Sequence, residues 1–107
     1  MSAAAEIVEV GEGRFSLKGD LTFDTVARLL DRGTRRFTEH SRIIVDMAEV
    51  DRTDSAGLAL LMEWVGWANH SVREIRYENV PERLVSIAAI SEVEGMLEAG
   101  ERWTGFI

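Results

Sequence analysis

Thr53, Asp54 and Ser55 stand in a row directly before the small pair Ala56-Gly57 and a long apolar run. Two hydroxyls and a carboxylate at a helix start face backbone N–H groups that have no partner inside the helix. The first consequence is capping, with Asp54 or Ser55 accepting hydrogen bonds from the early helix. The reciprocal capping box is absent, because Leu58 occupies the position three after Ser55. The second consequence is regulatory. A phosphate on Ser55 would meet the positive end of the helix field and place about −1.5 to −2 charges beside an apolar surface. Ser55 is therefore a candidate phosphoacceptor.

Other chemistry has little support. His40 and His70 each fall at an expected helix end, where either would interact with the helix dipole, and neither has partners spaced for a metal or a triad. Neither GxxxxGK[ST] nor GxGxxG occurs, and Gly11-Glu12-Gly13 reads as a tight turn. Asp46, Glu49, Asp51 and Asp54 cluster without the spacing of an EF-hand loop. The expectation is a protein with no catalytic residue, cofactor or metal.

The elements that must position Ser55 follow from hydropathy. Arg42 to Met47 is short, apolar and partly β-branched, as a central strand is, and Ala48 to Asp54 reads as a loop. A helix is expected from Ser55 to His70. At about 100° per residue, Leu58, Leu61, Met62, Val65 and Ala68 share one face, a core stripe. The opposite side, which should be polar, carries Leu60, Glu63, Trp64 and Trp67, with Ala56 at its start. Such a helix is either buried all round or docks on a partner. Tryptophan enrichment at interface hot spots favours docking. The expected partner-binding set is Thr53, Asp54, Ser55, Ala56, Leu60, Glu63, Trp64 and Trp67.

The flanking chain completes the pattern. Residues 1–5 read as disordered, Glu6 to Val10 and Arg14 to Lys18 as a hairpin, and Phe23 to Thr38 as a helix capped by Thr22. The outer face of that helix, with Arg28, Asp31, Arg32, Arg35 and Arg36, reads as solvated surface. Val72 to Val80 reads as a strand, and Pro81 as the opening of a helix over Glu82 to Ile90. A short helix capped by Ser91 is expected over Glu92 to Glu98, ended by Gly100. The tail, residues 99–107, would pack on the domain or on a partner. The fold class is α/β: a single domain over 1–107, with a hairpin followed by alternating strands and helices. That order implies a mixed β-sheet with helices largely on one face.

Composition narrows the function. A net charge of −7 disfavours nucleic acid and anionic membranes, and zero cysteines exclude disulfides and thiol chemistry. Met1 to Val10 lacks the charged start and apolar core of a secretory signal, and Ala56 to Ala68 is too short to span a bilayer. A cytoplasmic domain without direct membrane insertion is expected.

Three pieces of the chain together resemble the STAS domain family. Gly19-Asp20-Leu21-Thr22 is similar to its G-E-L-D element, Ile43-Ile44-Val45-Asp46-Met47 to its central strand, and Asp54-Ser55-Ala56-Gly57-Leu58 to its D-S-[SA]-G-L helix start. Within that family the Gly57 to Leu61 run resembles MlaB-type subunits of bacterial phospholipid-transport ABC systems. The resemblance implies a non-catalytic subunit that binds a cytoplasmic ATPase, and through it a permease and a lipid-binding subunit at the inner membrane. It leaves open a second reading, an anti-sigma factor antagonist with Ser55 as phosphoacceptor.

Overall fold

The computed structural model describes residues 4–90 and 102–103. Its elements are β1 (Glu6–Gly11), β2 (Arg14–Leu21), α1 (Val26–Phe37), β3 (Arg42–Thr53), α2 (Ser55–His70), β4 (Glu74–Glu78), α3 (Glu82–Ile90) and β5 (Arg102–Trp103). The sheet order is β1-β2-β3-β4-β5. The two outer pairs, β1 with β2 and β4 with β5, are antiparallel, and β3 is parallel to both β2 and β4. The hairpin turns on Glu12-Gly13, where Gly13 takes a φ of +71° that side chains rarely adopt.

Two successive crossovers, β2-α1-β3 and β3-α2-β4, move in one direction along the sheet. Right-handed connections then place both helices on the same face. Side chains alternate accordingly in β4 and in the first halves of β2 and β3. Phe15 and Leu17 of β2, Ile43, Val45 and Met47 of β3, and Ile75 and Tyr77 of β4 are all buried. They pack against Leu29 and Phe37 of α1, Leu61 and Val65 of α2, and Leu84 of α3. The Tyr77 hydroxyl donates to the Leu61 carbonyl at 2.7 Å. Burial pushes the Tyr77 pKa well above its ordinary value. The other sheet face carries charged residues in pairs: Arg14–Glu78 at 3.1 Å, Lys18–Glu49 at 3.3 Å and Arg42–Glu74 at 3.4 Å. Asp46, also on that face, is held below the ordinary carboxylate range by the Asn79 amide, then by the Ala48 N–H and by nearby Arg14.

Boundaries differ from the sequence reading in several places. β3 continues to Thr53 instead of ending at Met47, because β2 itself continues through Gly19-Asp20-Leu21 and pairs with it. The buried Asp20 carboxylate fastens this extension, accepting from the Arg52 N–H at 3.1 Å. α1 starts at Val26 and not Phe23, since Thr22 to Thr25 form a turn. In it the Thr25 hydroxyl accepts from the Thr22 N–H and donates to the Asp20 carbonyl. β4 is confined to Glu74–Glu78, and Val72 is a turn residue at φ 57° with its side chain exposed. Ala5, read as part of a disordered start, is buried in the core. The expected helix over 92–98 lies outside the described residues; of the tail, Arg102 and Trp103 pair with β4.

Arg73 closes the far end of the helical layer. Its guanidinium donates to the carbonyls of Thr38 and His40, each at 2.9 Å, beyond the C-terminus of α1. It also lies 5.2 Å over the Trp67 ring. His40, expected to serve a helix dipole, instead meets Glu9 at 2.9 Å.

Candidate functional site

The C-terminal ends of β2 and β3 deliver the chain to the starts of α1 and α2 at one edge of the molecule. The Asp54 N–H donates to the Leu21 carbonyl at 3.2 Å, so the entry to α2 sits against the turn that precedes α1. Asp54 caps α2 in extended conformation, its carboxylate accepting from the Ala56 N–H at 2.8 Å. With Asp54 doing the capping, Ser55 is left as the exposed first residue of the helix. Thr53 points inward and is buried. Gly57 is there for space: a Cβ would come within 2.6 Å of Thr53 Oγ1 and 3.1 Å of Leu21. Between the starts of α2 and α3 lies an open groove of about 600 Å³, lined by Thr22, Asp51 to Asp54 and Pro81 to Arg83.

The aromatic part of the expected docking face is elsewhere. Trp64 is fully buried and Leu60 nearly so. The cause is the position of α2 in the middle of the helical layer, with α1 on one flank and α3 on the other. A helix so placed buries its sides as well as its inner stripe. The Trp64 indole lies over Gly33 of α1, where a Cβ would come within 2.5 Å of Cζ2. It packs edge-on to Phe37 at 5.1 Å between centroids, and its N–H donates to Thr34 Oγ1 at 3.2 Å. Trp67 is half-buried between Phe37 and Arg73. Trp64 and Leu60 are therefore core residues, and Trp67 chiefly a helix-to-helix contact.

What α2 does present outward is Ser55, Ala59, Glu63 and Gly66, then Asn69 and His70 at its end, with Ala56 and Met62 partly exposed. Gly66 faces open space, with nothing within 4 Å of the position its Cβ would take. The residue that sequence reasoning missed is Phe23. It is 84% exposed, on the hydrogen-bonded Thr22–Thr25 turn beside the start of α2. The signal was present: Phe23 follows the Gly19-Asp20-Leu21-Thr22 element, but a helix drawn from Phe23 made it an ordinary first-turn residue.

Among the described residues no three His, Asp or Glu side chains gather to hold a metal, and no helix is long and apolar enough to cross a membrane. The geometry defines a small α/β domain that displays a hydroxyl at one helix start and an exposed aromatic on the neighbouring hydrogen-bonded turn. Known proteins agree with that class. A sequence model of the family described as "Mlab, STAS domain" matches residues 8–98. The chain belongs to this STAS-domain family. No protein with a curated description matches it. A similar solved structure is the unphosphorylated form of the anti-sigma factor antagonist SpoIIAA, with a TM-score of 0.67 and 14% identity. The match covers 86% of this chain and 84% of that one. At that identity the likeness establishes the fold.

Proposed function

We propose that this protein is a non-catalytic accessory subunit that docks on the cytoplasmic, MlaF-like ATPase of a phospholipid-transport ABC system. Through the ATPase it would join a permease and a lipid-binding subunit that maintain outer-membrane lipid asymmetry. It would do so at the inner membrane without entering it. The observation that supports the reading is the match to the family model described as "Mlab, STAS domain". The exposed start of α2 supplies a suitable surface. Phe23 is an exposed aromatic on a hydrogen-bonded turn, and Asp54, Ser55, Ala56, Ala59 and Glu63 form a mostly small-residue neighbourhood around the first turns of α2. Covering an exposed aromatic side chain removes about 150–250 Å² from water, and such residues dominate interface energetics.

Co-purification with the cognate ATPase, followed by a measured Kd, tests the reading. Phe23→Ala should weaken binding by about 2 kcal/mol, as interface hot spots do. Ser55→Asp should weaken it more than Ser55→Ala. The aspartate suits the helix start, so the fold survives, but its charge would be desolvated in the interface. Normal binding by all three variants would remove this end of the molecule from the interface.

The exposed Ser55 hydroxyl, left free of capping by Asp54, favours one second reading: an anti-sigma factor antagonist switched by phosphorylation of Ser55. Phosphate incorporation by a partner kinase, lost in Ser55→Ala, together with absence of ATPase binding, would select it.

A further inference from the structure

The outward face of α1 concentrates positive charge. Arg28, Arg32 and Arg35 stand at i, i+4 and i+7, with Arg36 adjacent, and all four are exposed. The chain has only 12 basic residues against 19 acidic ones, so a third of its positive charge lies on this one helix. On the uncovered sheet face Arg14 and Arg76 share Glu78, Lys18 meets Glu49 and Arg42 meets Glu74. On α1 only Arg35 has such a partner among the described residues, Asp31 at 3.3 Å. Arg28, Arg32 and Arg36 form no ion pair there, although acidic side chains are abundant in the chain.

We infer that the arginine face of α1 docks an acidic protein segment, one presenting Asp or Glu at matching helical spacing. Charge complementarity supplies the recognition, acting more on approach than on final affinity. The size of the patch selects the occupant. Arg28 to Arg35 spans two helical turns, about 10 Å. Asp24, Asp31, Glu39 and, on the neighbouring α2, Glu63 are exposed around it. An extended polyanion such as duplex DNA or an anionic bilayer would meet these carboxylates within about one Debye length, ~8–10 Å. A compact acidic segment covers less of that ring, and the one carboxylate inside the patch, Asp31, is already held by Arg35. α1 and α2 start at the same edge, so a partner covering Phe23 and Ser55 can reach Arg28 and Arg32. The choice of the ATPase subunit as that partner rests on the function proposed above.

The test uses the full chain, with association and dissociation rates on the ATPase subunit measured from about 50 to about 300 mM salt. Arg28→Gln/Arg32→Gln should slow association about fivefold or more at low salt and flatten its salt dependence. Phe23→Ala should instead speed dissociation and keep the salt dependence. If the ATPase binds with rates indifferent to the arginine pair, this inference falls and the docking reading stands. If the ATPase does not bind, the docking reading falls. The arginine face is then judged on a synthetic helical peptide with glutamates at i, i+4 and i+7. Shifts of the α1 amide resonances that vanish in the double variant uphold it, and no shifts overturn it. Tighter binding to phosphatidylglycerol vesicles or duplex DNA than to the acidic partner, lost in the same variant, would also overturn it.

Discussion

Gly33→Ala should change sign according to what stands at position 64. In the native chain the new methyl would come within 2.5 Å of Trp64 Cζ2 and 3.1 Å of Cε2. That ring has nowhere to go, being fully buried, edge-on to Phe37, and hydrogen-bonded to Thr34. Overpacking of this kind costs about 1–3 kcal/mol. Alanine in place of glycine inside a helix returns up to about 1 kcal/mol, so the net effect is destabilising. Trp64→Leu by itself should cost about 2–3 kcal/mol, less than the ~3–5 of a full truncation to alanine, because leucine refills part of the space. With that shorter side chain the clash is relieved and the helix propensity remains, so Gly33→Ala becomes neutral or stabilising. The coupling energy of the cycle is then roughly 1–3 kcal/mol. Urea unfolding followed by circular dichroism measures all four proteins, with m-values checked for constancy. Two results would refute the reasoning. One is an equal cost of Gly33→Ala in both backgrounds. The other is a Trp64→Leu protein as stable as the wild type but unable to bind its partner, which would return Trp64 to an interface.

Three further expectations follow from the same geometry. Phe23→Ala should leave stability within about 0.5 kcal/mol of wild type by thermal melting, as an exposed side chain does, which separates its role from that of Trp64. Gly57→Ala should destabilise by about 1–3 kcal/mol in urea, because its Cβ would press on Thr53 and on the buried Leu21 at the start of α2. Tyr77 is the only tyrosine, so its absorbance reports its ionisation directly. Its folded pKa is raised, so the native state disfavours the phenolate. The stability it contributes is intact below the unfolded pKa of about 10 and is lost as pH climbs from there through the folded value. Tyr77→Phe should cost about 1 kcal/mol at neutral pH, for the hydrogen bond to Leu61, and should blunt this alkaline loss.

Local pattern was enough for much of the molecule. The run Ser55 to His70 announced a helix because its start chemistry and its apolar content are properties of the segment itself. The hairpin, the order of strands and helices and the one-sided layering followed from alternation, turn residues and the handedness of crossovers. That Asp54 or Ser55 would cap α2 was legible for the same reason, and it is Asp54 that does so, two residues from the N–H it accepts. The disposition of α2 among its neighbours was not. A helical wheel assumes one buried stripe, whereas a helix flanked on both sides buries most of its circumference. Whether Trp64 faces solvent or Gly33 depends on a residue 31 positions earlier, which no local periodicity encodes. Phe23 shows the converse. Its exposure is decided by the Thr25 hydroxyl, which bonds back to Thr22 and Asp20 and delays the helix until Val26. The length of β3 likewise depended on Asp20 reaching across to Arg52. Segment-level preferences determined which elements exist; contacts distant in sequence decided which of their residues remain available to a partner.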